Sequence, residues 1–226
     1  MKLNVITALL LTSMVFVACS NDDDDTSAEY YNWQARNDAY FEQKFQEASE
    51  YIAAGREDWY QILSYSKNNA DKHTNYIIVN VLEQGKESHK EVIDGTKNTT
   101  NGLRCPIVGD TCTITYRGNL IPSKSYSTIA SPDDIEVGYQ FDTKWYGSSL
   151  ILSEALYSPL TPNAVVDGFS TALQYMHPGD RWRVYIPYDL GYGSSSKDKV
   201  QAYSTLIFDI YMKSFKTKQK SSEEKQ

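Results

Sequence analysis

Histidine and cysteine are scarce in this chain, with three of each in 226 residues. Transition-metal centres are built from clustered His and Cys, and His73, His89 and His177 stand too far apart in the sequence to suggest one. The same scarcity leaves a Ser-His-Asp set almost no material. The glycine-rich stretch GYGSSS at 191–196 lacks the Gly-Lys pair of a phosphate loop, and no G-x-S-x-G elbow is present. Positive charge is short as well: 22 Lys and Arg against 29 Asp and Glu give a net charge of −7, with no basic block. Nucleic acid is therefore not an expected partner. No internal repeat is visible, and the apolar run at 3–18 is shorter than the roughly 20 residues of a spanning helix. Neither a cofactor nor a metal is expected.

Aromatic residues are plentiful, with 18 tyrosines beside 7 phenylalanines and 4 tryptophans. Tyrosine carries an apolar body and a hydrogen-bonding tip, so a chain rich in it has rings suited to half-buried grooves. A 25.7 kDa chain with 41% hydrophobic residues can bury one ordinary core and a small appendage.

Lys2 followed by the apolar run reads as a secretion signal over 1–18. Asp22 to Asp25 then form an acidic tether within 19–28, because adjacent like charges resist packing. Between Glu29 and Ala54, Tyr30, Trp33, Phe41, Phe45, Ala48 and Ile52 recur at helical spacing and Gly55 supplies a stop. A second, shorter helix is expected through REDWYQILSYSK, giving an N-terminal helical extension over 29–75. Period-two alternation then takes over in YIIVNVLEQG, TCTITYRG, RWRVYIP and STLIFDIYM, which read as four long strands. Between the second and third of these, Val166, Phe169, Leu173 and Met176 mark one amphipathic helix, ended by HPGD. Strands outnumbering one central helix point to an α+β architecture, an antiparallel sheet with a helix across its face. KNTTNG and PSKSYSTIASPDD read as loops, YGSSLILSEALYSPLTPN as a strand-poor flap, and 216–226 as a charged tail. Cys105 and Cys112 either close a disulfide or stay apart, with Cys112 buried on its strand.

Taken in order, TITYRG, FDTK, VVDGFSTALQYMHPGD, RVYIPYDLGYG and STLIFDI resemble the FKBP-type peptidyl-prolyl isomerase domain. The resemblance covers 76–215 and implies an FKBP-like antiparallel sheet wrapped on one α-helix, with the N-terminal extension outside it. It carries a pocket onto Tyr116, Phe141, Asp142, Val165, Val166, Phe169, Tyr192 and Phe208. In that pocket Tyr192 offers its hydroxyl to a substrate carbonyl, Asp142 orients Tyr116, and Asp189 holds the loop. Val200 falls near the apolar residue that overhangs the site. The chain departs from the family by Phe169 where Trp is common, and by longer segments between Tyr116 and Phe141 and between Asp142 and Val165. The implied activity is proline isomerisation on proline-containing polypeptide clients. Two other readings stay open: a non-catalytic peptide-binding or chaperone module, and a purely structural envelope protein.

Phe16, Val17, Ala18 and Cys19 also resemble the lipobox of bacterial lipoproteins. That resemblance implies lipid on Cys19 and a membrane-anchored place in the bacterial cell envelope, on the outer membrane and facing the periplasm or the surface. The sequence sets neither client nor oligomeric state.

Overall fold

The computed structural model describes residues 28–85, 105–130, 134–145 and 158–217. The signal run, Cys19, nearly all of the acidic tether, KNTTNG, most of the flap and nearly all of the charged tail lie outside these residues.

Helix α1 (Trp33–Ala53) buries Trp33, Asn37, Phe41, Phe45 and Ala48 along one stripe. It starts later than Glu29 because Asn32 turns into the left-handed region at φ 47. Gly55 ends it at φ +80, a conformation that costs glycine little. Ile52 is exposed, so the apolar stripe ends one turn short of the helix.

The expected second helix is a strand. Residues Trp59–Leu63 form β1 and pair antiparallel with β2 (Tyr76–Glu83). Trp59 and Ile62 are both buried, which mimics a helical spacing of three, yet they point to opposite faces of the strand. Both faces are covered: Trp59 packs on Tyr51 of α1 at 5.0 Å between ring centres, and Ile62 belongs to the hydrophobic core. Trp, Tyr and Ile also suit a pleated surface, and β2 offers an open row of backbone groups to pair with.

Among the described residues, seven strands form the main sheet, joined throughout by antiparallel pairing. After β1 and β2 the order runs through β8 (Arg181–Ile186), β9 (Leu206–Lys216) and β3 (Thr111–Asn119). The far edge of β3 is shared: β6 (Gln140–Thr143) pairs with its end and β7 (Ser158–Leu160) with its start. Within PSKSYSTIASPDD and the residues after it, β4 (Thr128–Ala130) and β5 (Ile135–Val137) make a separate two-stranded sheet, so that stretch is not wholly loop.

Helix α2 (Asp167–Tyr175) crosses the sheet so closely that a Cβ on Gly168 would stand 2.3 Å from Cγ2 of Ile186. On β8, Trp182, Val184 and Ile186 share that face. Arg183 and Tyr185 share the other, where Tyr185 stacks on Trp59 and faces Tyr40 of α1. With a helix on each side, every residue of β8 is buried. The fold is thus α+β with helices on both faces of the first strands. On the face away from α2, Asp209 accepts hydrogen bonds from Arg117 and Arg183 on the two flanking strands, all three side chains buried. Burying charge is tolerated where such bonds satisfy it.

Cys105 and Cys112 are buried thiols, which corrects the disulfide alternative. The turn at 107–110 separates them. Cys112 enters the core opposite Phe215, while Cys105 Sγ lies 3.4 Å from Nε2 of His177. Burial, with Asp110 nearby, pushes the Cys112 thiol up to about 12.

Candidate functional site

The cavity forms where the α2 face of β3 and β9 is left open beyond the start of the helix. Tyr116 and Gly118 lie two residues apart on β3 and so share a face; in register, Ile210 stands opposite Tyr116 and Phe208 opposite Gly118. Phe208 carries the floor, meeting Phe169 of α2 edge-on at 4.8 Å, Phe141 of β6 at 5.4 Å and Tyr116 at 6.1 Å. Edge-to-face contacts of this kind are the favoured aromatic geometry. Phe169 also meets Tyr116 at 5.6 Å, which closes a triangle of rings.

Gly118 makes this floor possible. A Cβ there would lie 2.6 Å from Cε1 of Phe208 and 2.7 Å from Cζ of Phe141. The motif TITYRG gives this glycine no role by itself. A glycine inside an alternating strand is nonetheless the signal of a close approach.

The polar wall comes from β6, where a bulge between Gly118 and Asn119 shifts the register and leaves Asp142 opposite Gly118. Tyr116 donates its hydroxyl to Oδ2 of Asp142 at 2.8 Å. Burial first, and then that carboxylate, raises the Tyr116 pKa, so the phenol stays protonated at neutral pH. Val165 and Val166 close the side at the start of α2; Val166 is extended and accepts the Ser170 N–H, which makes it the helix cap.

The last wall is Tyr192, half-buried in the loop after β8. Pro187 ends that strand, a short 3-10 turn over Tyr188–Leu190 follows, and Gly193 turns at φ +67. Asp189 is exposed; the loop is held by the Gly193 N–H to Tyr188 O and the Tyr203 N–H to Gly193 O, each 2.9 Å. Burial raises the Tyr192 pKa too, helped by Asp142 and Asp198.

The resulting cavity is about 310 Å³ and is lined by Tyr116, Asp142, Val165, Val166, Phe169, Tyr192 and Phe208, together with Ala164 and Lys197. Seven of the eight residues expected from the sequence therefore line it, and the eighth, Phe141, backs Phe208. Ala164 and Lys197 are additions that the motifs do not mark. Ala164 belongs to the turn that leads into Val165, and Lys197 sits in a loop whose sequence carries no regular pattern. Val200, expected to overhang the site, is instead buried in the core.

Cys105, His177 and Asp180 form a second cluster of reactive side chains, each buried. The oxygens of Asp180 accept the backbone N–H groups of Gly85 and His177 at 2.6 Å each, and Nδ1 of His177 is 3.9 Å from the carboxylate. That spacing exceeds a hydrogen bond, and the carboxylate staples a turn.

A family model described as FKBP-type peptidyl-prolyl cis-trans isomerase matches residues 104–213. The macrophage infectivity potentiator of Trypanosoma cruzi is 34% identical over 119 residues, 51% of this chain and 48% of that protein. The chain thus spans about half the length of the curated relatives it matches. Among solved structures, FkpA of Escherichia coli is similar at 18% identity and a TM-score of 0.49, over 81% of this chain and 61% of that one. A peptidyl-prolyl cis-trans isomerase of Pseudomonas syringae pv. tomato is similar at 20% identity and a TM-score of 0.43, over 78% and 96%. Residues 104–213, just under half of the chain, thus match the FKBP-type peptidyl-prolyl cis-trans isomerase family.

Proposed function

We propose that this chain is a peptidyl-prolyl cis-trans isomerase that assists protein folding in the bacterial cell envelope, held to a membrane by lipid on Cys19. The observation that carries the activity is the aromatic cavity with one polar wall, a shape suited to a proline ring and its amide.

An X-Pro amide resists rotation by about 18–20 kcal/mol because resonance gives its C–N bond partial double-bond character. Its cis and trans forms differ by only about 0.5–1 kcal/mol, so catalysis must lower the barrier alone. Rotation to the twisted amide removes the charge separation between oxygen and nitrogen. A pocket that strips water from the amide favours that less polar state over either planar one, and each 1.4 kcal/mol of preference is about tenfold in rate. In this reading Phe169, Phe208 and Tyr116 grip the proline ring, Phe141 backs Phe208, and Val165 closes the side. Tyr192 donates its hydroxyl to a flanking carbonyl, the Val166 N–H holds another, and Asp142 fixes the Tyr116 ring. The raised pKa values of Tyr116 and Tyr192 keep both hydroxyls as donors across the neutral range.

The test is a proline isomerisation assay with the chain lacking its first 20 residues. Faster isomerisation of a proline peptide and faster refolding of a proline-limited protein are expected. Peptide binding without acceleration would make the pocket a binding module instead, and neither would make it packing alone. Mass spectrometry of protein extracted from membranes is expected to find an acylated N-terminal Cys19; an intact Met1 would refute the anchor.

A further inference from the structure

Lys197 takes no part in proline isomerisation as derived above, yet it lines the cavity. Its backbone is not that of a free surface loop. Lys197 and Val200 exchange two backbone hydrogen bonds of 2.9 Å each, and Asp198 between them takes φ 52, so the four residues make a tight turn. The two members of such a pair project their side chains to the same side of the ribbon. Val200 is plugged into the core at 4% exposure, which anchors the turn and aims its partner. The Lys197 ammonium lies 5.3 Å from the centre of the Tyr192 ring, at the mouth of the cavity.

Among the described residues, few charges face this ammonium. Asp142 is the carboxylate among the lining residues, and it already accepts the Tyr116 hydroxyl. Asp198 is exposed in the turn itself, and Lys199 lies over the Tyr139 ring at 5.7 Å. Among the described residues that line the cavity, Lys197 is therefore the one cation, held beside the ring whose hydroxyl is assigned to a substrate carbonyl.

We propose that Lys197 is a specificity-determining residue that favours polypeptides with an acidic residue immediately before the proline, an inference that rests on the isomerase reading of the same cavity. With the proline among Phe169, Phe208 and Tyr116 and the preceding carbonyl at Tyr192, the side chain of the preceding residue comes beside the ammonium. A partly exposed ion pair changes a rate or an affinity by a factor of about two to five.

The experiment compares two peptides of equal shape, one with Glu and one with Gln before the proline, and reads the ratio of their kcat/KM values. A ratio of about two to five is expected for the parent chain, falling toward one in about 1 M NaCl, where screening acts over roughly 3 Å. Lys197→Gln is expected to bring the ratio to about one, Lys197→Glu to invert it, and Lys197→Arg to keep it. A ratio near one in the parent, or one that Lys197→Glu leaves unchanged, overturns the inference. Turnover of the Gln peptide by the parent separately tests the isomerase reading. Should neither peptide be isomerised, the same ratio taken from their Kd values decides the role of Lys197.

Discussion

A single missing methyl group organises the cavity floor, since a Cβ at Gly118 would press on both Phe208 and Phe141. Gly118→Ala should push those rings apart, with an overpacking cost of about 1–3 kcal/mol. A lower urea midpoint together with weaker peptide binding is expected, and a variant equal to the parent in both would show that the rings yield freely. Tyr192→Phe probes function more cleanly, because it deletes one hydroxyl and leaves the ring and its neighbour Lys197 in place. A hydrogen bond of this kind contributes about 0.5–1.5 kcal/mol, so kcat/KM should fall roughly two- to tenfold with the midpoint unchanged. Unaltered kcat/KM would remove Tyr192 from the mechanism. The pocket residues are legible in the sequence because motif order fixes them. Lys197 is not, because its aim depends on how Val200 plugs the core, and nothing in SSSKDKV announces that.

At the scale of elements, α1 is tied to the strand that carries Phe208. Asn37, buried in the apolar stripe, donates to Trp33 O at 2.7 Å and accepts the Thr205 N–H at 2.7 Å, while Trp33 Nε1 donates to Ser204 Oγ at 2.9 Å. Thr205 is the residue before β9. Asn37→Ala should leave that buried N–H unsatisfied and cost about 1–3 kcal/mol, read from chemical denaturation. No change would mean that water replaces the amide and the tie is incidental. The long alternating strands and the two helices can be read from periodicity because each has one clear apolar pattern. β1 cannot: covered by α1 on one side and the core on the other, it loses the alternation that marks a strand, and WYQIL is too short to show any other. The short pair β4 and β5 hides because three residues are too few to show an alternation: Ala130 and Val137 are buried, but Thr128 and Ile129 beside them are exposed.

The whole molecule is affected by the same correction, because the first strand of the sheet precedes the region that resembles the family. A chain beginning at residue 75 would lack both α1 and β1. The bonding edge of β2 would open, and so would the face on which Tyr185 stacks against Trp59. The ion cluster of Arg117, Asp209 and Arg183 lies on that same face of the sheet, and a sheet stripped of its cover exposes both apolar area and a template for aggregation. A generic solubilising tag cannot stand in for the two segments, since Phe41, Phe45 and Trp59 supply side chains that are part of the core itself. The chain from residue 28 should therefore unfold in one cooperative transition that includes the Trp59 environment. The chain from residue 75 should show a lowered, broadened transition or aggregate, and isomerise proline poorly for want of an ordered β8 and β9. Circular dichroism melts and the proline assay on both chains check this. Equal melting temperatures and equal rates would show that 76–215 stands alone and that α1 and β1 are an addition the cavity does not need.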